Sequence, residues 1–403
     1  MRRCDRHVDS GDGRLLLTLG NVSIERARRE RRAPPGRVAC AVVLFLACGC
    51  ALFAAPTPPP HNSESAARLE PGPYQVESAD VVFEDDVRGR TLASTLWWPV
   101  ETVGPLPLVV QAHGFLANRS GGAYVGEHLA SHGYVVVAAT HPNTTLFAPG
   151  GAKVEDVVRQ PGDVSFLIDR LLADDGEVPP HPPIDPARIA VMGHSLGGLT
   201  ATLAAFHPRL RDPRIAAAIS IAGPMEMFEP SFFRTAQVPF LMIAGSGDVI
   251  VDYRRNAFVT LDRVPGGTLV LIAGASHTGF DAAMTGLPRL LDNPDTVGCW
   301  VLQRTLHLDT AQAKLRELAQ DGDGVTMAYG VPTPCIEEPP PVAMDPARQH
   351  MITTLAVTAF LESRFAPDPT ERNRARYYLT ETLPRDFNEV SVATAPFALA
   401  AAP

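Results

Sequence analysis

Residues 187–206, Ala-Arg-Ile-Ala-Val-Met-Gly-His-Ser-Leu-Gly-Gly-Leu-Thr-Ala-Thr-Leu-Ala-Ala-Phe, constrain this chain more than any other stretch. A short apolar run, 189–192, meets Gly193-His194-Ser195-Leu196-Gly197, and an Ala/Leu-rich helical pattern follows at once. The pattern predicts a buried strand, a very sharp turn and a helix. Such a turn leaves no room for side chains at its two flanks, and glycine at 193 and 197 removes them. Ser195 is then pushed up at the carboxyl end of its strand, with the amides of the helix N-terminus aimed at its oxygen. This is the setting that a G-x-S-x-G nucleophile elbow requires.

The rest of the chain supplies the sheet into which such an elbow fits. Residues 76–83 and 91–98 read as an opening antiparallel pair, separated by a charged turn starting at Glu84-Asp85-Asp86. Apolar strand runs follow at 108–112, 134–140, 215–221, 240–244 and 269–273, with helical patterns at 123–131 and 161–172 between them. Continuous apolar strands alternating with helices mean a mostly parallel central sheet flanked by helices, an α/β fold. Ligands bind such sheets beyond the carboxyl ends of the strands. Gly114, Ser195, Asp248 and His277 all fall just past strand ends, so four candidate functional residues converge on one edge.

A serine hydroxyl needs a base within hydrogen-bonding reach, and the base needs a carboxylate to fix its tautomer. In this fold class the order along the chain is serine, acid, histidine. The acid is expected at Asp248, in Ala244-Gly245-Ser246-Gly247-Asp248, with Asp252 as its rival. The base is expected at His277, the first histidine after the next strand; His207 ends the helix after the elbow, and His307 and His350 lie in later helical segments. Two N–H donors must hold the oxyanion. They are expected from the amides of Leu196 and of Phe115, the latter following His113-Gly114 in the loop after the 108–112 strand.

Gly-His-Ser-Leu-Gly-Gly at 193–198, His-Gly-Phe at 113–115, Glu-His-Leu-Ala-Ser-His-Gly-Tyr-Val-Val at 127–136 and Gln160-Pro161-Gly162-Asp163-Val164 together resemble the α/β-hydrolase superfamily. Within it the likeness is to the dienelactone-hydrolase-like and platelet-activating-factor-acetylhydrolase-like branch, which also opens with a strand ending in an aromatic residue and proline, here Trp97-Trp98-Pro99. The resemblance covers roughly residues 72–280 and a helix at 349–365. It implies an α/β-hydrolase fold and a serine ester hydrolase working through an acyl-enzyme on a small-molecule or lipid ester. An acyltransferase, a phospholipid- or polyester-specific hydrolase, or an inactive binding lipoprotein remain the alternatives. Dienelactone hydrolases use a cysteine nucleophile, so Ser195 departs from them and points to ordinary carboxylic esters.

Composition narrows the partners. The net charge of −9 is spread along the 403 residues with no basic stripe in the body, which disfavours nucleic acid. No cysteine pair has metal-ligand spacing near a histidine pair, so no metal or cofactor is expected. The densest arginine cluster, at residues 26–37, precedes the apolar run 38–55, the layout of an export signal. Phe45-Leu46-Ala47-Cys48-Gly49-Cys50 resembles a lipoprotein box, leaving open lipidation at Cys48 or Cys50, cleavage near 51–55, or an uncleaved anchor; each places the body outside the cytoplasm, and lipid or anchor would tie it to a membrane. The expected organisation is a leader (1–55), an extended Pro-rich linker (56–72), a catalytic domain (73–384) and a tail (385–403). Within the domain, 281–345 follows His277 as an insertion. Cys299 and Cys335 bracket much of it and are expected to form a disulfide, as an isolated pair in an exported chain usually does. Residues 302–318 have a helical pattern carried by Leu308, Ala311, Leu315 and Leu318, and the insertion is expected either as a flap forming one wall of the acyl pocket or as a surface decoration packed away from the site.

Overall fold

Six of the apolar runs pair side by side as parallel strands because each is buried on both faces and needs helices above and below it. The structure, a computed structural model, describes residues 63–173, 178–306, 313, 315–327, 334–335 and 340–396. The leader with Cys48 and Cys50, residues 56–62, and Leu308 and Ala311 therefore lie outside the described residues. The strands are β1 (Val76–Asp85), β2 (Arg90–Pro99), β3 (Leu106–Ala112), β4 (Val135–Thr140), β5 (Ile184–His194), β6 (Ile215–Ile221), β7 (Phe240–Gly245), β8 (Thr268–Ile272) and β9 (Val390–Thr394). They form one sheet in the order β1-β2-β4-β3-β5-β6-β7-β8-β9. The run from β4 to β8 is parallel, and β1, β2 and β9 are antiparallel to their neighbours. The chain has the mostly parallel sheet of an α/β-hydrolase fold.

Two helices cover one face. Helix α3 (Gln160–Leu172) buries Val164, Leu167 and Ile168 there, and α4 (Leu196–Phe206), which is buried along its whole length, lies beside it. The other face is covered by α2 (Ala123–Ser131), through Val125 and Leu129, and by α6 (Pro346–Phe365), through Ile352, Leu355 and Phe360. Pro161 sits in the first turn of α3, where the missing N–H costs nothing. Strand β1 is different: most of its residues are exposed or half-exposed, and among the described residues it pairs with a strand on one side only.

Three expectations change. Proline composition suggested an extended linker over 56–72, but residues 63–69 form helix α1 (Ser63–Leu69), whose Ala-rich sequence holds no proline. It docks on the body through Ser65 Oγ to the Tyr378 hydroxyl at 2.7 Å and Arg68 to Glu362 at 2.6 Å. Residues 385–403, expected as a tail, contain β9, which pairs with β8 from Thr268↔Thr394 to Ile272↔Val390. The helix expected at 302–318 begins earlier, as α5 (Asp295–Thr305), and stops where Leu306 turns extended at ψ 118°. Leu315 and Leu318 are buried separately, around a short turn at Arg316–Leu318.

Candidate active site

The elbow is built by close approach of backbone to backbone. A Cβ on Gly193 would collide with the Gly197 carbonyl group, and one on Gly197 with the Ala112 carbonyl oxygen. Ser195 itself lies at φ 55°, ψ −117°, a region that non-glycine residues reach only under strain. Its amide donates to the Ile221 carbonyl at 2.8 Å, which ties the strained residue to β6. The strain lifts the side chain clear of strand β5 at the mouth of a cavity.

Ser195, His277 and Asp248 meet there. Asp248, in the loop after β7, accepts from His277 Nδ1 at 2.7 Å, and His277 Nε2 lies 2.7 Å from Ser195 Oγ. The other Asp248 oxygen accepts from the amides of Ile250 and Val251 at 2.9 and 2.7 Å. With the ring proton on Nδ1 toward the carboxylate, Nε2 is left to accept from the serine. Burial pulls the His277 ring toward neutrality, but Asp248, by charge and hydrogen bond, and then Asp295 by charge, outweigh it; the ring protonates above the ordinary 6.5. Burial pushes the Asp248 carboxyl up, against the pull of His277. Asp252, the rival acid, accepts instead from the Arg254 amide at 2.9 Å and caps the turn at Tyr253–Asn256. His207 bonds the Leu318 carbonyl and His350 stacks on Tyr124, so neither joins the site; His307 lies outside the described residues.

The Leu196 amide opens α4 and has no intrahelical acceptor. Among the described residues the Phe115 amide has no acceptor either, whereas Leu116 next to it bonds the Thr144 carbonyl at 2.7 Å. The loop carrying Phe115 is pinned from behind by His113, whose Nδ1 bonds the Gly114 carbonyl at 2.7 Å while its Nε2 accepts from the His141 amide at 2.9 Å. Burial, with His141 adding, drives the His113 pKa down to about 3, so the ring is neutral and can make both bonds. Behind it lies a buried ionic cluster. Asp163 accepts from both Nε and Nη2 of Arg90 at 2.6 Å, from Arg88 at 2.8 Å and from His141 Nδ1 at 2.9 Å, while Arg90 also reaches both oxygens of Asp156.

The cavity at Ser195 holds about 490 Å³, within the range of small-molecule sites. Phe115, Leu146 and Ile250 line it from the body, and Val297, Val301 and Leu302 line it from α5, so the insertion forms one wall. Cys299 on α5 is disulfide-bonded to Cys335, closing a loop of 36 residues, and the Cys335 amide donates to the Val249 carbonyl at 2.8 Å.

Two residues were not singled out by the sequence. His194, the variable position of the elbow, packs its ring 4.9 Å from that of His277, and its Nε2 is 3.0 Å from the His277 carbonyl. Burial, with His277 adding, holds the His194 pKa well below the ordinary value. Asp295, at the start of α5, is fully buried and accepts from the His277 amide at 2.9 Å. Asn293-Pro294-Asp295 reads as a helix start, and that local signal says nothing of contacts made 18 residues away. Among the described residues no group of three or more His, Cys, Asp or Glu is placed to hold a metal, and no helix is long and apolar enough to cross a membrane.

Fold and site together define an α/β-hydrolase with a serine, a histidine and an aspartate joined at the carboxyl edge of its sheet. The PETase family model, described as PET hydrolase-like, matches residues 54–291, and the chain belongs to that family. It is 31% identical over 226 residues to Cutinase est2 of Thermobifida alba, covering 54% of this chain and 67% of that protein. It is 31% identical over 266 residues to the bis(hydroxyethyl) terephthalate hydrolase of Streptomyces coelicolor (65% and 77%), and 30% identical over 250 residues to a cutinase of Thermobifida fusca (59% and 70%). The chain is a serine carboxylic ester hydrolase.

Proposed function

We propose that Ser195 is the nucleophile, His277 the base and then the acid, Asp248 the residue that orients His277, and the Phe115 and Leu196 amides the oxyanion donors. The observation that carries this is the relay itself: His277 bridges Asp248 and Ser195 Oγ at 2.7 Å on each side, at the mouth of an apolar cavity. Ser195 Oγ attacks the ester carbonyl carbon as its proton passes to His277 Nε2. The carbonyl oxygen becomes an oxyanion between the two amides. Collapse breaks the ester C–O bond, and His277 returns the proton to the departing alcohol. Water then attacks the acyl-enzyme by the same relay and frees the acid.

The substrate is an acyl ester whose apolar portion fills the cavity beside α5. A polyester chain end is one such substrate, in keeping with the relatives that are cutinases and a terephthalate-ester hydrolase. The motif likeness to the dienelactone-hydrolase-like and platelet-activating-factor-acetylhydrolase-like branch also supports esters of small or lipid alcohols. Export, with Cys48 as a candidate lipid anchor, rests on the sequence of the leader. A fluorophosphonate probe tests the assignment. Labelling is expected in the intact chain and lost in Ser195→Ala, and His277→Ala is expected to lower kcat by about 10⁴-fold or more. Asp248→Asn should cost a similar factor or less; a crippled Asp252→Asn beside a near-normal Asp248→Asn would reassign the acid.

A further inference from the structure

Helix α5 opens on a residue that does not serve its own helix. Asp295 turns its carboxylate away from the α5 amides and into the loops that carry Asp248 and His277. Its Oδ2 accepts from the His277 amide at 2.9 Å and from the Val249 amide at 3.3 Å. Its Oδ1 accepts from the Thr278 amide at 2.7 Å and from the Thr278 hydroxyl at 2.8 Å. All four partners are N–H or O–H donors, so the group is used throughout as an acceptor, which is what a carboxylate supplies. It is fully buried, where a carboxylate lacking such donors would be costly to keep.

The placement of these bonds matters more than their number. His277 and Thr278 follow β8, whereas Val249 is the residue after Asp248 in the loop that follows β7. One side chain therefore ties together the backbones of the two loops whose spacing sets the 2.7 Å bond between Asp248 and His277. The tie is itself anchored. One turn along α5, Cys299 is bridged to Cys335, and the Cys335 amide holds the Val249 carbonyl at 2.8 Å. The peptide units on both sides of Val249 are thus held by the insertion. Asp295 and both cysteines lie beyond residue 291, where the match to the PET hydrolase-like family ends.

We propose that Asp295 is a positioning residue for the His277–Asp248 pair, through which the disulfide-held insertion acts as part of the frame of the active site as well as a wall of its cavity. This rests on the assignment of His277 as base. Asp295 touches neither substrate nor reacting atoms; it acts through the main chain of His277 and through its charge. The titratable groups facing the His277 ring and backbone are Asp248 from the β7 loop, Asp295 from α5 and His194 from the elbow, and His194 is held neutral by burial.

The test is Asp295→Asn, which keeps the shape but replaces one acceptor oxygen by an NH₂ group facing donors. With a soluble p-nitrophenyl ester, kcat is expected to fall about 30-fold with KM within about twofold, since a small misplacement of a catalytic group is expensive. The acid limb of the kcat/KM profile is expected to move down by about half a pH unit or more, because a negative charge near His277 is lost. Unchanged kcat with an unmoved acid limb would overturn the proposal; so would a raised KM at normal kcat, which marks a cavity wall only. If Asp295→Asn does not accumulate as folded protein, Thr278→Val removes one donor while leaving the charge. It is expected to lower kcat about threefold with the acid limb in place, and wild-type kcat there would overturn the proposal. Ser195→Ala run alongside separates the two readings: residual full activity in that variant refutes the triad itself, whereas an inactive Ser195→Ala beside a normal Asp295→Asn refutes only the positioning role.

Discussion

Replacing Asp163 by Asn should weaken both the fold and the reaction, although Asp163 lies one layer behind the chemistry. The carboxylate is fully buried and accepts four charge-assisted bonds, two from Arg90 and one each from Arg88 and His141. Removing one partner from a buried ionic group costs about 3–5 kcal/mol, chiefly by leaving charge unpaired. Here Arg90 would keep both oxygens of Asp156 and Arg88 would keep Asp85, so the lower figure, about 3 kcal/mol, applies. For a domain of more than 300 residues that is a Tm lower by about 5 °C. The loss should also reach the loop of the proposed oxyanion donor Phe115, because the His141 amide bonds His113 and His113 holds the Gly114 carbonyl beside Phe115. Burial raises the Asp163 carboxyl, but His141 and Arg90 outweigh it and depress its pKa below 3.8. Its contribution is therefore full above the unfolded carboxyl value and lost as pH falls through the depressed folded value. Urea denaturation of both proteins at neutral pH and again below pH 3.8, with kcat measured on each, checks all of this. A neutral-pH difference under about 1 kcal/mol, or one that persists undiminished in acid, would refute the account.

The proposed base must be neutral to act, and His277 protonates above 6.5, so kcat/KM should fall as the pH drops, with a midpoint above pH 6.5; a pH–rate profile with its acid limb below that value would contradict the assignment of His277 as base. The Cys299→Ser, Cys335→Ser double variant should lose up to about 4 kcal/mol on the chain-entropy account of a 36-residue loop, read by denaturation, while titration of denatured, unreduced wild-type body should find no free thiol from this pair. Val301→Trp on the cavity wall should lower the ratio of kcat/KM for long-chain over short-chain esters about tenfold, and an unchanged ratio would remove α5 from substrate selection.

Much of the site could be read in the sequence because its parts are local. The glycines at 193 and 197, the Gly-rich loop before Asp248 and the slot of His277 each follow an apolar strand, and a parallel sheet brings strand ends together whatever the connections do. Strand-end position favours Asp248 over Asp252 as the proposed acid, and Asp248 is the one of the two that bonds His277. What could not be read was long-range. Asp295 looks like any residue opening a helix; its partners at 249, 277 and 278 are neighbours only once β7 and β8 lie side by side. Helix α1 was hidden by proline content averaged over 56–72, although the prolines fall outside 63–69. Strand β9 was hidden by its shortness, since a five-residue alternating run beyond the last long helix carries little periodic signal.

Strand β1 gives one sheet margin a particular character. Of its ten residues, Glu77, Asp80, Glu84 and Asp85 are acidic; Asp80 pairs with Arg119 at 3.1 Å and Asp85 with Arg88 at 2.5 Å, so the net charge of the margin rests on Glu77 and Glu84. An open margin invites a second molecule to add its own strand, and like charges along it resist that approach. Two copies meeting margin to margin would bring acid against acid, a repulsion that added salt screens. A shift to acid pH, by protonating these carboxylates, would likewise weaken the guard against self-association at this margin.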